Sequence, residues 1–240
     1  MKLFFEWLFA TPTPLVAVIS AIIAYLAYNH QRKLNKKNRA LTIAEMYAEK
    51  VIPRLRYVAS LLGAIECEVY TAEFNSPKDF TEQELTEFLK KKNINIEDFK
   101  SLFKNIKKED LEKAYIQSGC NSYISECHKC LIYSTQINNE GIGDAIYKFI
   151  LDLLNDIEAF SSQFYYNIAE EELVYPILHQ TFLSHIKNLY FFIAERNRFD
   201  QDRYYLFTIW LYDRWVIRKE KQSNKLKGLM MKNEGKKRLH

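Results

Sequence analysis

From Trp7 to Gln31 the chain carries no Asp, Glu, Lys or Arg, and its centre reads Leu15-Val-Ala-Val-Ile-Ser-Ala-Ile-Ile-Ala-Tyr-Leu-Ala-Tyr28. An uncharged run of 25 residues, rising roughly 1.5 Å per residue as a helix, is long enough for a hydrocarbon core about 30 Å thick. Arg32, Lys33, Lys36, Lys37 and Arg39 follow directly. The run therefore reads as a single transmembrane helix, with a basic stretch on its cytoplasmic side. A cleaved signal peptide fits less well, because the basic cluster lies after the apolar core and no Ala-x-Ala site follows. A buried core helix is the other alternative, since Pro12 and Pro14 shorten the cleanest apolar part. Proline in the first turn of a membrane helix is tolerable, and Phe4, Phe5, Trp7 and Phe9 suit an interfacial aromatic belt.

The basic asymmetry sets the expected orientation. Five Lys/Arg lie just after the run and one, Lys2, before it. By the positive-inside rule the N-terminus is outside and the remainder cytoplasmic, which places the protein in the inner (plasma) membrane. Arg32, Lys33, Lys36, Lys37 and Arg39 are then membrane-surface residues, and the lipid bilayer is a partner. Four unevenly spaced cysteines in 240 residues do not form a disulfide framework, and reduced thiols are expected.

The remaining 200 or so residues are enough for one domain with a sizeable core. Gly and Pro number only 6 and 5, too few for the turns of an all-β domain, while 16 Phe and 16 Tyr argue against disorder. The expected fold is all-α, a single N-terminal transmembrane helix followed by a cytoplasmic helical bundle. The periodicity divides the chain into an anchor (1–31), a basic stretch and long stalk helix kinked at Pro53 (32–73), a short-helix insertion (74–108), a bundle core (109–217) and a basic tail (218–240). Within the insertion, Thr81 with Glu84 predicts a capped helix over 82–92, and Asn95 caps another through Phe103. One helix is predicted over 109–137, one from Asp144 to Ala169, one from Glu170 to Arg196, and one from Asp200 to about Lys221.

Charge is unevenly spread. The net value is +4, with +5 on residues 32–39, +7 on 218–240 and none on 1–31, leaving −8 on 40–217. An acidic body disfavours nucleic acid as a partner.

Chemical motifs are few. Cys120, Cys127, His128 and Cys130 form the densest metal-type cluster. Cys120 stands about two helical turns, roughly 10 Å, from Cys127, so one straight helix cannot bring all three thiols to one zinc. Packed small apolar residues are the simpler account, with a redox-sensing pair as the alternative. His179 and His185 are six apart and face different sides of a helix; His179 with Glu171 or Glu172 is a formal acid–base couple. The Arg-x(4–6)-His pattern of helical nucleases is absent, as are phosphate-cradling glycine loops and a nucleophile elbow. No catalytic residue, metal ligand or cofactor is assigned, and the chain is read as a non-enzyme. Trp, Tyr and Arg dominate protein interfaces, and they concentrate between Tyr190 and Trp215. Arg198, Arg203, Trp210, Arg214 and Trp215 are the candidate partner-binding residues. Trp210 and Trp215 are five apart, so both cannot face one narrow stripe.

Leu154-Asn-Asp-Ile-Glu158-Ala-Phe, then Ala169-Glu-Glu-Glu-Leu, then a Trp/Arg-rich helix, together resemble a widespread family of small bacterial membrane-anchored helical proteins of unknown function. The resemblance covers about residues 145–216, and residues 76–108 have no counterpart in it. Some such proteins are encoded near phage-defence and stress genes, so the resemblance implies a regulatory or effector role and transfers no catalytic residue. The functional expectation is an interaction or regulatory module, acting as a homo-oligomer or with a protein partner. A membrane-perturbing effector that oligomerises through its anchor, and an enzyme with an unrecognised helical site, are the alternatives.

Overall fold

The computed structural model describes residues 12–64, 80–92, 103, 106–119, 122–137, 141–197 and 203–237. Among these the chain is helical, with no strand. The first helix, α1 (Pro12–Met46), continues through a π-helical turn (Tyr47–Val51) into α2 (Ile52–Ala64). There follow α3 (Glu82–Lys92), α4 (Lys108–Gln117), α5 (Ser122–Ile137), α6 (Ile142–Tyr165), α7 (Glu171–Asn188), α8 (Tyr190–Arg196) and α9 (Leu206–Lys237).

The expected membrane anchor is overturned. Among the described residues no helix is long and apolar enough to cross a membrane. The uninterrupted apolar part of α1 with described side chains is Val16 to Tyr28, roughly 13 residues or about 20 Å, short of the 30 Å a span requires. Asn29, His30 and Gln31 lengthen the uncharged run without being apolar. Trp7 to Thr11, which the expected span included, lie outside the described residues. The inner-membrane placement and the outside N-terminus fall with the span. The basic stretch has other work. Lys36 Nζ donates to Asn167 Oδ1 at 2.8 Å, and Arg39 Nε donates to Gln163 Oε1 at 3.1 Å. The Glu170 N–H reaches the Lys36 carbonyl at 3.3 Å. Lys36 and Arg39 thus fasten α1 to the corner between α6 and α7, while Arg32, Lys33 and Lys37 are exposed.

The kink expected at Pro53 takes the form of the π turn. Proline has no N–H to donate and its ring crowds the preceding turn. One extra residue absorbs the clash, and the Ile52 N–H bonds the Tyr47 carbonyl five residues back. Just beyond, buried Arg54 donates to the Lys50 carbonyl at 3.2 Å and pairs with Asp156 on α6.

The predicted helix over 109–137 is broken in two. Ser118 caps α4 by donating its hydroxyl to the Tyr115 carbonyl, and Gly119 takes φ +95°. That left-handed value is open to glycine at little cost, and it ends the helix. Asn167 plays the same part after α6 at φ 55°. The helix expected over 82–92 is present: Glu84 N–H bonds Thr81 Oγ1, and the Glu84 carboxylate returns to the Phe80 N–H at 2.9 Å. The cap expected at Asn95, the stalk beyond Ala64 and the helix start at Asp200 lie outside the described residues.

Aromatic side chains fill the core. Trp215 is fully buried against Phe164, Tyr175 and Phe182, with ring centroids 4.9–6.2 Å apart. Tyr47 packs on Phe160 at 4.5 Å and thereby joins the π turn to α6. Phe80, Phe88 and Phe103, from the 74–108 segment, seat on Tyr190, Phe191 and Phe192 of α8.

Gly143, in the first turn of α6, lets the chain at Phe103 approach closely. A Cβ at Gly143 would stand 2.9 Å from the Phe103 carbonyl oxygen, whereas one at Gly63 in α2 would meet nothing within 4 Å. Gly143→Ala should therefore destabilise by about 1–3 kcal/mol. Gly63→Ala should stabilise by roughly 0.5–1 kcal/mol through helix propensity. Urea unfolding of the two variants checks the opposite signs.

Candidate functional site

Helix α9 is held by carboxylates from two other helices. At its start, Glu158 of α6 accepts from the Phe207 N–H at 3.0 Å, the Thr208 N–H at 2.8 Å and the Thr208 hydroxyl at 2.6 Å. The first N–H groups of a helix have no partner within it, and a carboxylate there satisfies them and suits the helix dipole. Two turns on, Glu171 of α7 accepts from the buried Trp215 indole N–H at 3.1 Å and from Arg214 Nε at 2.7 Å. Glu172 takes both terminal nitrogens of Arg218, at 2.9 and 2.5 Å. The Arg218 guanidinium lies 3.8 Å above the Tyr175 ring.

Along the solvent side of this seam runs a groove of about 610 Å³. Trp210 and Ile217 are its apolar part; Glu171, Glu172 and Asp213 supply acids; Arg214, Arg218, Lys221 and Lys225 supply cations. The half-buried Trp210 indole meets Tyr165 edge-on at 5.3 Å, and Arg214 lies 5.4 Å from its ring centre. Tyr165 and Tyr166, both exposed, carry the aromatic surface on past Phe207. Burial pushes the Tyr175 hydroxyl up, partly offset by Arg218, and that hydroxyl donates to Gln222 at 3.2 Å.

The expected partner-binding residues therefore separate. Trp210 and Arg214 share the groove. Trp215 is core, and only its N–H touches the polar seam. Arg203 is exposed on the short approach to α9, and Arg198 lies outside the described residues. No local sequence signal gives Glu158, Glu171 and Glu172 their role in holding α9. Their acidic motif was visible, but their partners lie some 43–50 residues further on.

Other titratable groups are engaged in packing. His128 is buried, stacked on Tyr115 at 4.7 Å, and its Nδ1 is 3.0 Å from the Tyr57 hydroxyl. Its Nε2 is 3.4 Å from Glu112, without hydrogen-bond alignment. Cys127 is half-buried, its thiol pushed up by that burial, and Cys130 is exposed; both are free, and Cys120 lies outside the described residues. Among the described residues no group of three His, Cys, Asp or Glu side chains is placed to hold a metal ion. His179 stacks on Tyr175 and bonds that residue's carbonyl at 2.8 Å, while Glu171 and Glu172 are occupied by arginines. His185 sits 3.4 Å from the Tyr47 hydroxyl, beside a cavity of about 160 Å³. Burial, then Arg56, pushes its pKa down to about 4.

No family model, curated protein or solved structure matches the chain.

The His185 environment makes stability depend on pH. Its pKa is about 4 when folded against 6.5 when unfolded, so the unfolded chain takes up the proton first. Stability is full above pH 6.5, falls as the pH drops towards 4, and levels off below. The full loss is about 3 kcal/mol. His185→Gln should flatten the part of the decline between pH 6.5 and 4, measured as urea midpoints at half-unit steps.

Proposed function

We propose that the chain is a regulatory protein-binding module that performs no chemistry of its own and receives a partner segment in the α9 groove. The half-buried Trp210 beside Arg214 carries this reading, because an aromatic ring with a neighbouring guanidinium in a concave site is the usual anchor of a protein interface. A suitable segment is amphipathic. It presents an apolar side chain to Trp210 and Ile217 and an acid to Lys221 and Lys225. An enzymatic reading has less support, since Glu171, Glu172 and His179 are already paired with arginines or backbone. A setting in stress or phage defence, implied by the resemblance in residues 145–216, suits such a module.

The test is crosslinking in the native cell, comparing wild type with Trp210→Ala and with Ile177→Ala, an exposed residue of α7 away from the groove. A defined crosslinked species should weaken several-fold in the Trp210 variant alone. Its melting temperature should move by less than about 4 °C, as for a loss of about 1 kcal/mol or less. Unchanged crosslinking with a larger melting shift would make Trp210 a packing residue and remove the proposed site.

A further inference from the structure

The cavity of about 160 Å³ beside His185 lies between α2 and the second half of α7. Leu55, Val58, Ala59 and Leu62 of α2 recur at helical spacing and make one wall; α7 supplies the other, from Ser184 to Leu189. The walls are sorted by depth. Leu55, Val58, Leu62 and Leu189 are each at most 5% exposed and form an apolar floor. Arg56, Ser184 and Asn188 are exposed and stand at the mouth, and His185 is half-buried. No acid is among the lining residues. Arg54, two residues from Arg56, is paired with Asp156, and Arg214 and Arg218 of the α9 groove hold Glu171 and Glu172. The Arg56 guanidinium has no carboxylate or hydrogen-bond acceptor among the described residues, and the side chains of Ser184 and Asn188 make no hydrogen bond there either. The local field is positive, and Arg56 adds to burial in disfavouring a proton on His185.

We infer that this cavity binds a short-chain monocarboxylate, with its alkyl tail on the leucine floor and its head at Arg56, Ser184 and Asn188. Size sets the chain length. At roughly 30 Å³ per water the space equals about five waters. Filled at protein packing density, it takes an organic molecule of about six or seven heavy atoms, a carboxylate group with about three or four further carbons. Polarity sets the class. The buried floor favours an alkyl tail, and a fully polar ion such as phosphate would give up hydration to face leucines. A neutral alcohol or amide would fill the floor and leave the guanidinium without a charge partner, and a cation would be repelled by it. Arg56 can hold a carboxylate through two parallel N–H donors, and the Asn188 amide and Ser184 hydroxyl can satisfy its remaining lone pairs. The site shares no lining residue with the α9 groove and does not depend on it.

Titration of the full chain with sodium valerate at constant pH and ionic strength, followed by NMR of the His185 ring, tests the proposal. A saturable shift with a Kd on the order of 1 mM is expected for so small a ligand. Affinity should rise from acetate to valerate and stop rising at octanoate, which outgrows the cavity. Valeramide, the neutral isostere, should bind at least about tenfold more weakly than valerate. Arg56→Gln, at an exposed position, should cost about tenfold in valerate affinity. Ala59→Leu, which puts a side chain into the space, should abolish binding. Both variants should keep the helicity of the wild type. No saturable shift at about ten times the expected Kd overturns the proposal. So does an affinity that keeps climbing at octanoate, valeramide binding as tightly as valerate, or valerate binding untouched by Arg56→Gln and Ala59→Leu.

Discussion

The structure depends on two carboxylates that pin α9 across the bundle. Glu158 closes the first turn of that helix, and Glu171 takes the indole N–H of Trp215 deeper in. Without them the last helix would leave orphaned N–H groups at its start and a buried indole donor unsatisfied, each costing about 1–3 kcal/mol. With them, Trp215 is oriented among Phe164, Tyr175 and Phe182, and the ring cluster links α6, α7 and α9. The same pinning decides what faces outward. Once Trp215 points in, Trp210, five residues earlier, is turned to the edge of the bundle, where Arg214 and Tyr165 frame it.

Much of the helical order is legible in the sequence, because the signals are local. Thr81 with Glu84 marks α3, and the apolar stripe from Ile146 to Phe164 marks α6. The break after Ser118-Gly119 is equally local. An apolar pattern on both sides made one helix of two, although glycine followed a hydroxyl-bearing cap. The membrane reading failed for a different physical reason. Absence of charge was counted as apolarity, yet Asn29, His30 and Gln31 are costly in hydrocarbon, and what remains of the described run is too short to span it. Lys36 and Arg39 were read as facing a lipid surface; their partners, Asn167 and Gln163, lie over 120 residues away and leave no local trace.

The site is less legible than the fold. The concentration of Trp, Tyr and Arg after residue 190 marks the helix that lines the groove, and the spacing of Trp210 and Trp215 separates the two rings. Which ring is buried follows from Glu171, and nothing in the spacing encodes that choice. His185 is similar. Its residue type suggests a titrating group, but its depressed pKa arises from burial beside the π turn and α2 and from Arg56, which only the packed bundle supplies.

The most direct test of this account is amide hydrogen exchange at the start of α9 in wild type and in Glu158→Ala. If the Glu158 carboxylate holds the helix, the Phe207 and Thr208 amides should be protected in the wild type. They should lose most of that protection in the variant, and the Trp215 indole N–H should exchange faster as the helix end loosens. Equal protection in both proteins would contradict the claim that this carboxylate organises the last helix.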